Sequence, residues 1–237
     1  MAERNITTAS YVSWQHCDPV SEKLKELEER IDAWQNKFEF VDIKKELNYV
    51  GRGENLEDMN KKYIVICDID NCFTDSREWI KHVPQVDARD KSVARDMWDK
   101  YQNLSFLAKP NKSVIDFVRT IAELTPIYFV TSREDRRNSR KDTEMQIEKF
   151  SEGAIKIGDT HKLCMRREFD YRMSDEVKKD ITIGLMNEGC IPCVAIDDDE
   201  RNCKMFAELG IPVKQYDIET DTFIKFYAPE STEVNVG

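Results

Sequence analysis

Short apolar runs alternate with helical segments in this chain of 237 residues, and this alternation constrains the fold more than any other feature. Runs this short and apolar are typical of buried strands, whereas the segments between them have the spacing of amphipathic helices. Strands that alternate with helices predict a parallel sheet covered on both faces, which is a Rossmann-like α/β fold. The predicted strands are 63–67, 127–130, 193–196 and one that opens at 211, and the clearest helices are 113–124 and 174–188.

Polar side chains follow three of these strands directly. Asp68 and Asp70 follow the first strand, residues 131–133 follow the second, and residues 197–199 follow the third. Ligands of parallel sheets bind at the carboxyl ends of the strands, so these residues are expected to lie in one crevice. Five aspartates in one crevice repel each other unless a cation is bound there.

The spacing of Asp68 and Asp70 suits phosphoryl transfer. Two carboxylates separated by one residue point to the same side of an extended chain, so one can attack phosphorus while the other carries a proton. Mg²⁺ prefers oxygen ligands such as carboxylates, carbonyl groups and water. The sequence therefore predicts a Mg²⁺ site formed by Asp68, a main-chain carbonyl near Asp70 and one aspartate of residues 197–199. A covalent aspartyl-phosphate is one established way to divide a difficult hydrolysis into two easier steps.

The three strand ends resemble the motifs of the haloacid dehalogenase superfamily. Residues 63–73 resemble its first motif, residues 130–133 its second and residues 195–198 its fourth. A narrower resemblance connects residues 61–217 with the 3′-phosphatase domain of bacteriophage polynucleotide kinase and its stand-alone relatives. It rests on Thr131-Ser132-Arg133, on the stretch 163–178 and on the closing segment that ends at Val213.

The resemblance implies a role for each matching residue. Asp68 is the nucleophile and a metal ligand, whereas Asp70 is the general acid and then the base, and offers its carbonyl group to the metal. Thr131 binds the transferring phosphoryl group, and Lys178 neutralises the phosphate and holds the nucleophile. The metal ligands that the resemblance implies are Asp68, Asp70, Asp197 and Asp198. Lys156 and Lys162 are the alternatives to Lys178.

Substrate binding is expected from Arg133 and Ser132, since a guanidinium forms paired hydrogen bonds with phosphate. Three positions depart from the family pattern. Asn71-Cys72 replaces the usual Gly-Thr after the second aspartate, Ser132 replaces a glycine, and Ser174 replaces the first acid of the stretch that precedes Lys178.

The expected organisation has three parts. Residues 1–55 form an N-terminal helical extension, residues 61–220 form the phosphatase core with a small helical cap at about 76–108, and residues 221–237 form a C-terminal tail. A helix at about 21–38 has apolar residues at steps of three and four. This stripe either docks on its own domain or binds a partner protein or a second copy of the chain.

Composition excludes some classes of protein. The net charge of −10 and the pI near 5.0 argue against a sequence-independent DNA-coating protein. No apolar run is long enough for a membrane span, and the N-terminus lacks a signal peptide, so a cytoplasmic protein is expected. The seven cysteines are scattered, and the pair Cys190 and Cys193 has no second pair with which to bind zinc.

The basic residues of a helix near 135–150 form either a solvated face or a basic rim that meets nucleotide phosphates. His82 and His161 are expected at the surface, because neither has a partner at useful spacing.

The function expected from the resemblance is that of a Mg²⁺-dependent phosphomonoesterase acting on 3′-phosphate ends of nucleic acids or on nucleotides. One alternative is a phosphatase of mononucleotides or other small metabolites. Another is a weakly active module whose N-terminal helix recruits a partner protein.

Overall fold

The apolar strand β1 (Lys62–Cys67) lies inside a six-stranded sheet, because its last four side chains are buried. The structure is a computed structural model and describes residues 62–82, 91–136 and 138–227. The predicted N-terminal extension, with its helix at about 21–38, lies outside the described residues. Among the described residues, no helix has the length and apolar composition needed to cross a membrane.

Helices cover both faces of the sheet, which confirms the Rossmann-like α/β fold. The remaining strands are β2 (Thr74–Asp75), β3 (Lys109–Pro110), β4 (Ile127–Glu134), β5 (Lys162–Arg166), β6 (Cys190–Asp197), β7 (Val213–Asp217) and β8 (Thr222–Tyr227). The helices are α1 (Lys91–Ser105), α2 (Lys112–Ala122), α3 (Ser139–Phe150), α4 (Ser174–Asn187) and α5 (Glu200–Glu208), with a short 3-10 helix at Arg77–His82.

The strand order β5-β4-β1-β6-β7-β8 places β1 between β4 and β6. Strands β5, β4, β1, β6 and β7 are parallel, and β8 pairs antiparallel with β7. The chain first builds the sheet on one side of β1 and then returns to build the other side, so the order reverses beside β1. Ligands of open α/β sheets bind at such a reversal, outside the carboxyl ends of the strands.

The core is divided between the two faces of the sheet. On one face, side chains of β1, β4 and β6 pack with Leu185 of α4 and with Cys203, Met205 and Phe206 of α5. On the other face, Phe129 of β4 packs edge-on against Phe73, at a distance of 5.1 Å between ring centroids. Neighbouring residues of a strand point to opposite faces of the sheet. Because both faces are covered, both sets of side chains are buried, and the strands are therefore apolar runs with no polar position.

Strand β4 is longer than predicted. It extends to Glu134, whereas the sequence reading ended it at Val130. Thr131 therefore lies within the strand, and helix α3 begins only at Ser139, so Thr131 is not the N-cap of that helix.

Residues 222–227 form a strand of the sheet, whereas the sequence interpretation assigned residues 221–237 to a C-terminal tail. The aromatic ring of Phe223 packs against Phe117 of α2 and against Tyr216 of β7, with ring centroids 5.6 and 5.9 Å apart. These contacts connect β8 to the core. The pattern of β8 is hard to recognise in the sequence because all six of its side chains are exposed or half-buried.

The segment predicted as a cap, residues 76–108, contains the short 3-10 helix and α1 where the structure describes it. It is inserted between β2 and β3, which pair antiparallel beside the end of β1. The phenol of Tyr101 on α1 forms a hydrogen bond of 3.0 Å with the hydroxyl of Ser76. This contact connects α1 to the residue that follows β2.

Candidate active site

The ends of β1 and β6 bring two aspartates together. The backbone N–H of Asp68 donates to the carbonyl of Ile196 (2.9 Å), so the parallel pairing continues to the last residue of each strand. Asp68 is 5% exposed, and Asp197 is fully buried. Parallel pairing thus places their carboxylates side by side at the carboxyl edge of the sheet.

Lys178 lies between these two carboxylates. Its ammonium Nζ is 2.7 Å from Oδ1 of Asp68 and 2.7 Å from Oδ2 of Asp197, and the side chain is 1% exposed. Burial alone lowers the pKa of Lys178, but the charges of Asp197 and Asp68 outweigh it and raise this pKa above the ordinary lysine value. The amine therefore stays protonated. The alternative Lys156 is exposed and forms an ion pair with the exposed Glu148, so it takes no part in this buried contact.

Asp198 adds a third carboxylate. One oxygen of each of Asp68, Asp197 and Asp198 lies within 4.8 Å of the others. Burial raises the pKa of Asp68 to about 7, against the opposing effect of Lys178. Burial and the charges of Asp197 and Asp68 raise the pKa of Asp198 to about 9. These raised pKa values reflect burial and the mutual repulsion of the clustered carboxyl groups, and a hard divalent cation bound to the same oxygens would offset both effects.

Two neighbours hold Asp197, and Asp199 points elsewhere. Oδ1 of Asp197 accepts hydrogen bonds from the amide of Asn202 (2.9 Å) and from the backbone N–H of Asp199 (3.0 Å). The carboxylate of Asp199 accepts from the backbone N–H of Arg201 (2.8 Å) and caps helix α5. Of the aspartates at 197–199, Asp197 and Asp198 belong to the carboxylate cluster, whereas Asp199 is the N-cap of helix α5.

Asp70 is held by Arg133. The Nε and Nη2 atoms of Arg133 donate to the two oxygens of Asp70, each at 2.8 Å. On the other side, Nη1 donates to Thr143 (3.2 Å) and to Gln146 (2.9 Å) of α3. Arg133 is only 4% exposed. This guanidinium was expected to contact substrate phosphate, whereas its Nε and Nη2 donors are occupied by the carboxylate of Asp70.

Thr131 and Ser132 belong to the last part of β4, which lies beside the end of β1. The hydroxyl oxygen of Thr131 accepts the backbone N–H of Arg133 (3.2 Å), so its own proton remains free to be donated. The hydroxyl of Ser132 is 3.1 Å from that of Ser174, the first residue of α4. Ser174 stands where the family pattern has an acid, and its hydroxyl forms this hydrogen bond with Ser132.

Asn71 explains one departure from the family pattern. Its φ is +63°, in the left-handed region that glycine adopts readily and asparagine tolerates better than most residues. Its side-chain oxygen accepts from the hydroxyl of Ser76 (2.9 Å), which holds the turn. Burial raises the pKa of the Cys72 thiol, so this cysteine stays protonated and packs as an apolar residue. The loop after β1 therefore keeps a tight turn without glycine.

The arginines near residue 135 are mostly neutralised. Arg136 is buried and forms ion pairs with Asp99 and with Glu134. Arg140 pairs with Asp135 and with Glu144. A basic rim for nucleotide phosphates is therefore not formed by these two residues, and Arg137 lies outside the described residues.

Several supporting residues had no recognisable sequence signal. They are Asn202, which holds Asp197, and Thr143 and Gln146, which hold Arg133. Arg166, at the end of β5, donates from Nε to the carbonyl of Ser132 (2.8 Å). Arg166 lies in the stretch 163–178 on which the family resemblance rests, but neither its contact with Ser132 nor the polar residues within helices had a recognisable pattern.

The family model described as the polynucleotide kinase PNKP phosphatase domain matches residues 62–220. No curated protein matches the chain.

Three solved structures are similar in part. Two are chains of a Pnkp1/Rnl/Hen1 complex and of a Pnkp1/Rnl/Hen1 RNA repair complex, with identities of 20% and 18% and TM-scores of 0.47 and 0.48. Each match covers 69% of this chain but only 48% and 45% of the other, so the chain spans less than half of their length. A haloacid dehalogenase-like hydrolase from Streptococcus pneumoniae is 14% identical, with a TM-score of 0.45, over 67% of this chain and 85% of that one.

Proposed function

Because the chain belongs to the polynucleotide kinase phosphatase family of haloacid dehalogenase-type phosphatases, we propose that it is a Mg²⁺-dependent phosphomonoesterase that acts on 3′-phosphate ends of nucleic acids or on nucleotides. The observation that carries this proposal is the contact of Lys178 with both Asp68 and Asp197, next to Asp198. A protonated lysine between a nucleophile and a cation-binding carboxylate suits a dianionic phosphate.

Asp68 is the proposed nucleophile. Lys178 holds its Oδ1, which leaves Oδ2 to attack phosphorus. The new bond between Oδ2 and phosphorus forms as the bond from phosphorus to the leaving oxygen breaks, and the product is an aspartyl-phosphate on Asp68. The hydroxyl of Thr131 and the ammonium of Lys178 stabilise the negative charge of the transferring group.

Asp70 is the proposed general acid and base. It gives a proton to the leaving oxygen in the first step and takes one from the attacking water in the second. Arg133 holds both oxygens of Asp70 and so orients this carboxyl group. We therefore assign Arg133 to positioning Asp70, and we keep Ser132, which is half-buried beside Ser174, as the proposed substrate contact.

The ligands proposed for Mg²⁺ are Asp68, Asp197, Asp198 and the main-chain carbonyl of Asp70. When bound, the cation would offset the repulsion between the carboxylates and the phosphate oxygens.

The test is phosphate release by the purified full chain from a 3′-phosphorylated oligonucleotide, with Mg²⁺ and with a chelator. Asp68→Asn is expected to lose activity by at least about 1,000-fold, because asparagine is not a nucleophile. Asp199→Asn is the matched control, since it makes the same change in the same crevice wall but in a residue that caps α5. Full activity of Asp68→Asn, or activity that survives chelation, would contradict the mechanism.

A substrate panel separates the proposal from its main alternative. The oligonucleotide is compared with free 3′- and 5′-mononucleotides and with small phosphorylated metabolites, by kcat/KM. Preference for the 3′-phosphorylated oligonucleotide over free mononucleotides supports the proposal, and the reverse preference supports the alternative. Preference for small metabolites shows that the chemistry is right and the substrate class is wrong.

A further inference from the structure

Three large apolar side chains are exposed in the loop of residues 167–173, which we name the aromatic loop. Phe169 and Tyr171 are each 62% exposed, and Met173 is 53% exposed. Scattered apolar residues are common on protein surfaces, but several in one short loop mark a surface for binding. The loop connects β5 with α4, so it lies at the carboxyl edge of the sheet, where the aspartates lie.

The aromatic loop is held in place by ionic and polar contacts. Nη1 of Arg166 donates to the carbonyls of Asp170 (2.8 Å) and Arg172 (2.6 Å), and its Nε donates to Ser132. The guanidinium of Arg172 forms a fork with Asp170. Phe169 has a φ of +65°, which non-glycine residues rarely adopt. The loop therefore presents its rings outward in a fixed conformation and does not bury them.

Arg95 of α1 lies behind the two rings. Its guanidinium carbon is 4.4 Å from the centroid of the Phe169 ring, and its Nη1 donates to the hydroxyl of Tyr171 (2.8 Å). A cation over one face of an aromatic ring fixes the ring and leaves the other face for a ligand. Since Phe169 is largely exposed, that other face is open to solvent.

The aromatic loop lies next to the catalytic residues. Ser174, which directly follows it, contacts Ser132 of β4 at 3.1 Å. Lys178 is four residues further along α4, about 6 Å at the rise of an α-helix, and it contacts Asp68. A group stacked on the loop would therefore belong to the same substrate as the phosphate at Asp68.

We propose that Phe169 and Tyr171 form a stacking surface for the base of the nucleotide that carries the phosphate. This inference rests on the proposed function, since it requires a substrate with a base. Aromatic rings bind bases without regard to sequence, because every base has a π-face. Among the basic residues, Arg95 contacts both rings, and Arg166 holds the backbone of the aromatic loop, so the rings are supported from behind while their outer faces are exposed.

The test compares two oligonucleotides with a 3′-phosphate that differ only in the terminal nucleotide, which has a base in one and is abasic in the other. A third substrate, p-nitrophenyl phosphate, reports the chemistry alone. For the unchanged protein, KM is expected to be lower by about 10-fold for the oligonucleotide with the base, in the range of one base stacked on an aromatic ring.

The variants are Phe169→Leu and Tyr171→Leu, which remove the ring and keep apolar bulk. Each is expected to reduce the difference between the two oligonucleotides severalfold and to leave p-nitrophenyl phosphate turnover unchanged. Tyr63→Leu is the matched control. Tyr63 is 44% exposed but lies at the amino end of β1, on the opposite edge of the sheet, so this variant should retain the full preference. Thermal unfolding of each variant checks that it folds.

If the unchanged protein does not distinguish the two oligonucleotides, or if both loop variants retain the preference, the stacking surface is overturned and a protein partner becomes the better explanation of the exposed rings. Equal loss on both oligonucleotides would mean that the rings do not contact the base. Hydrolysis of p-nitrophenyl phosphate without hydrolysis of either oligonucleotide overturns the proposed substrate class itself, and the inference with it.

Discussion

The ion pair of Arg133 and Asp70 shows how a single residue acts through another. A guanidinium presents its N–H groups in a rigid plane, so its two bonds to Asp70 determine both the place and the rotation of that carboxylate. Thr143 and Gln146 hold the guanidinium from behind. The side chain of Asp70 is 19% exposed, and Arg133 donates to both of its oxygens.

Arg133→Lys keeps the charge and removes the fork. We expect kcat to fall by about 10- to 100-fold, because a catalytic group that is displaced by about 1 Å loses rate on this scale. KM should change little, because Arg133 is buried and two of its donors are occupied by the carboxylate of Asp70. The measurement is kcat and KM with p-nitrophenyl phosphate.

Thr143→Val is the control for that variant. It removes one hydrogen bond from the rear of the guanidinium and leaves both bonds to Asp70 intact. Its kcat should stay within about 3-fold of the unchanged protein, in line with one modest hydrogen bond. A larger effect in Thr143→Val than in Arg133→Lys would show that the fork is not what positions Asp70.

Strand β8 illustrates the scale of single elements. Its half-buried residue Phe223 packs on Phe117 and Tyr216, whereas its neighbour Ile224 is 53% exposed on the other face of the strand. Successive residues of one strand thus make very different contributions to stability.

Phe223→Ala should lower the free energy of unfolding by about 2 kcal/mol, because it removes an aromatic side chain from a partly buried cluster. Ile224→Ala should change the same quantity by about 0.5 kcal/mol or less, because its side chain points to solvent. Urea unfolding of both variants measures the difference. Equal effects would contradict the packing of β8 on the core.

The connection between β4 and β5 contains a buried histidine, contrary to the surface position expected for His161. Nδ1 of His161 accepts the backbone N–H of Ile127 (3.0 Å), at the first residue of β4. Burial lowers the pKa of His161 below its ordinary value of 6.5, with a smaller effect from Lys62. The neutral form is therefore the folded form, and its ring nitrogen is a hydrogen-bond acceptor.

This position predicts a pH dependence of stability. Below about pH 6.5, the unfolded chain takes up a proton at His161 that the folded chain does not. Since the folded pKa is lowered, the contribution to stability is present above pH 6.5 and is lost as the pH falls below it. Thermal unfolding from pH 7.5 to 5.5 should show a smaller slope for His161→Gln than for the unchanged protein. Parallel slopes would show that His161 does not titrate in this window.

At the scale of the whole molecule, the reversal of strand order beside β1 determines where negative charge accumulates. Asp68, Asp197 and Asp198 come from strands that are neighbours in space and about 130 residues apart in the chain. Within the described part of the chain, Lys178 forms the ion pairs with Asp68 and Asp197. A bound divalent cation should therefore stabilise the entire folded chain.

Mg²⁺ at about 100 times its dissociation constant should add about 2.7 kcal/mol to the free energy of unfolding. For a chain of this size, the unfolding midpoint should rise by roughly 5 to 10 °C. Calorimetry with Mg²⁺, with K⁺ at equal ionic strength and with chelator measures the effect. Asp198→Asn should reduce the rise, and Asp199→Asn should retain it, since Asp199 caps α5. A rise that K⁺ reproduces would indicate ionic strength and not a bound cation.

The sequence alone determined the fold class and the residues at the strand ends. Apolar runs between helices predicted the parallel sheet, because burial on both faces leaves no polar position in a strand. The residues Asp68, Lys178, Asp197 and Asp198, singled out from motifs, do lie together in the structure. Position relative to a strand end is a local property, so sequence could show it.

Contacts between distant residues were decided only by the tertiary structure. Arg133 could have met a phosphate or a carboxylate, and the pairing of β4 beside β1 brought it to Asp70, 63 residues away. The same holds for the burial of His161, for β8 and for the fixed exposure of Phe169 and Tyr171. A charged or aromatic side chain has many partners that satisfy it equally well, and only the packing of the strands and helices around it selects one.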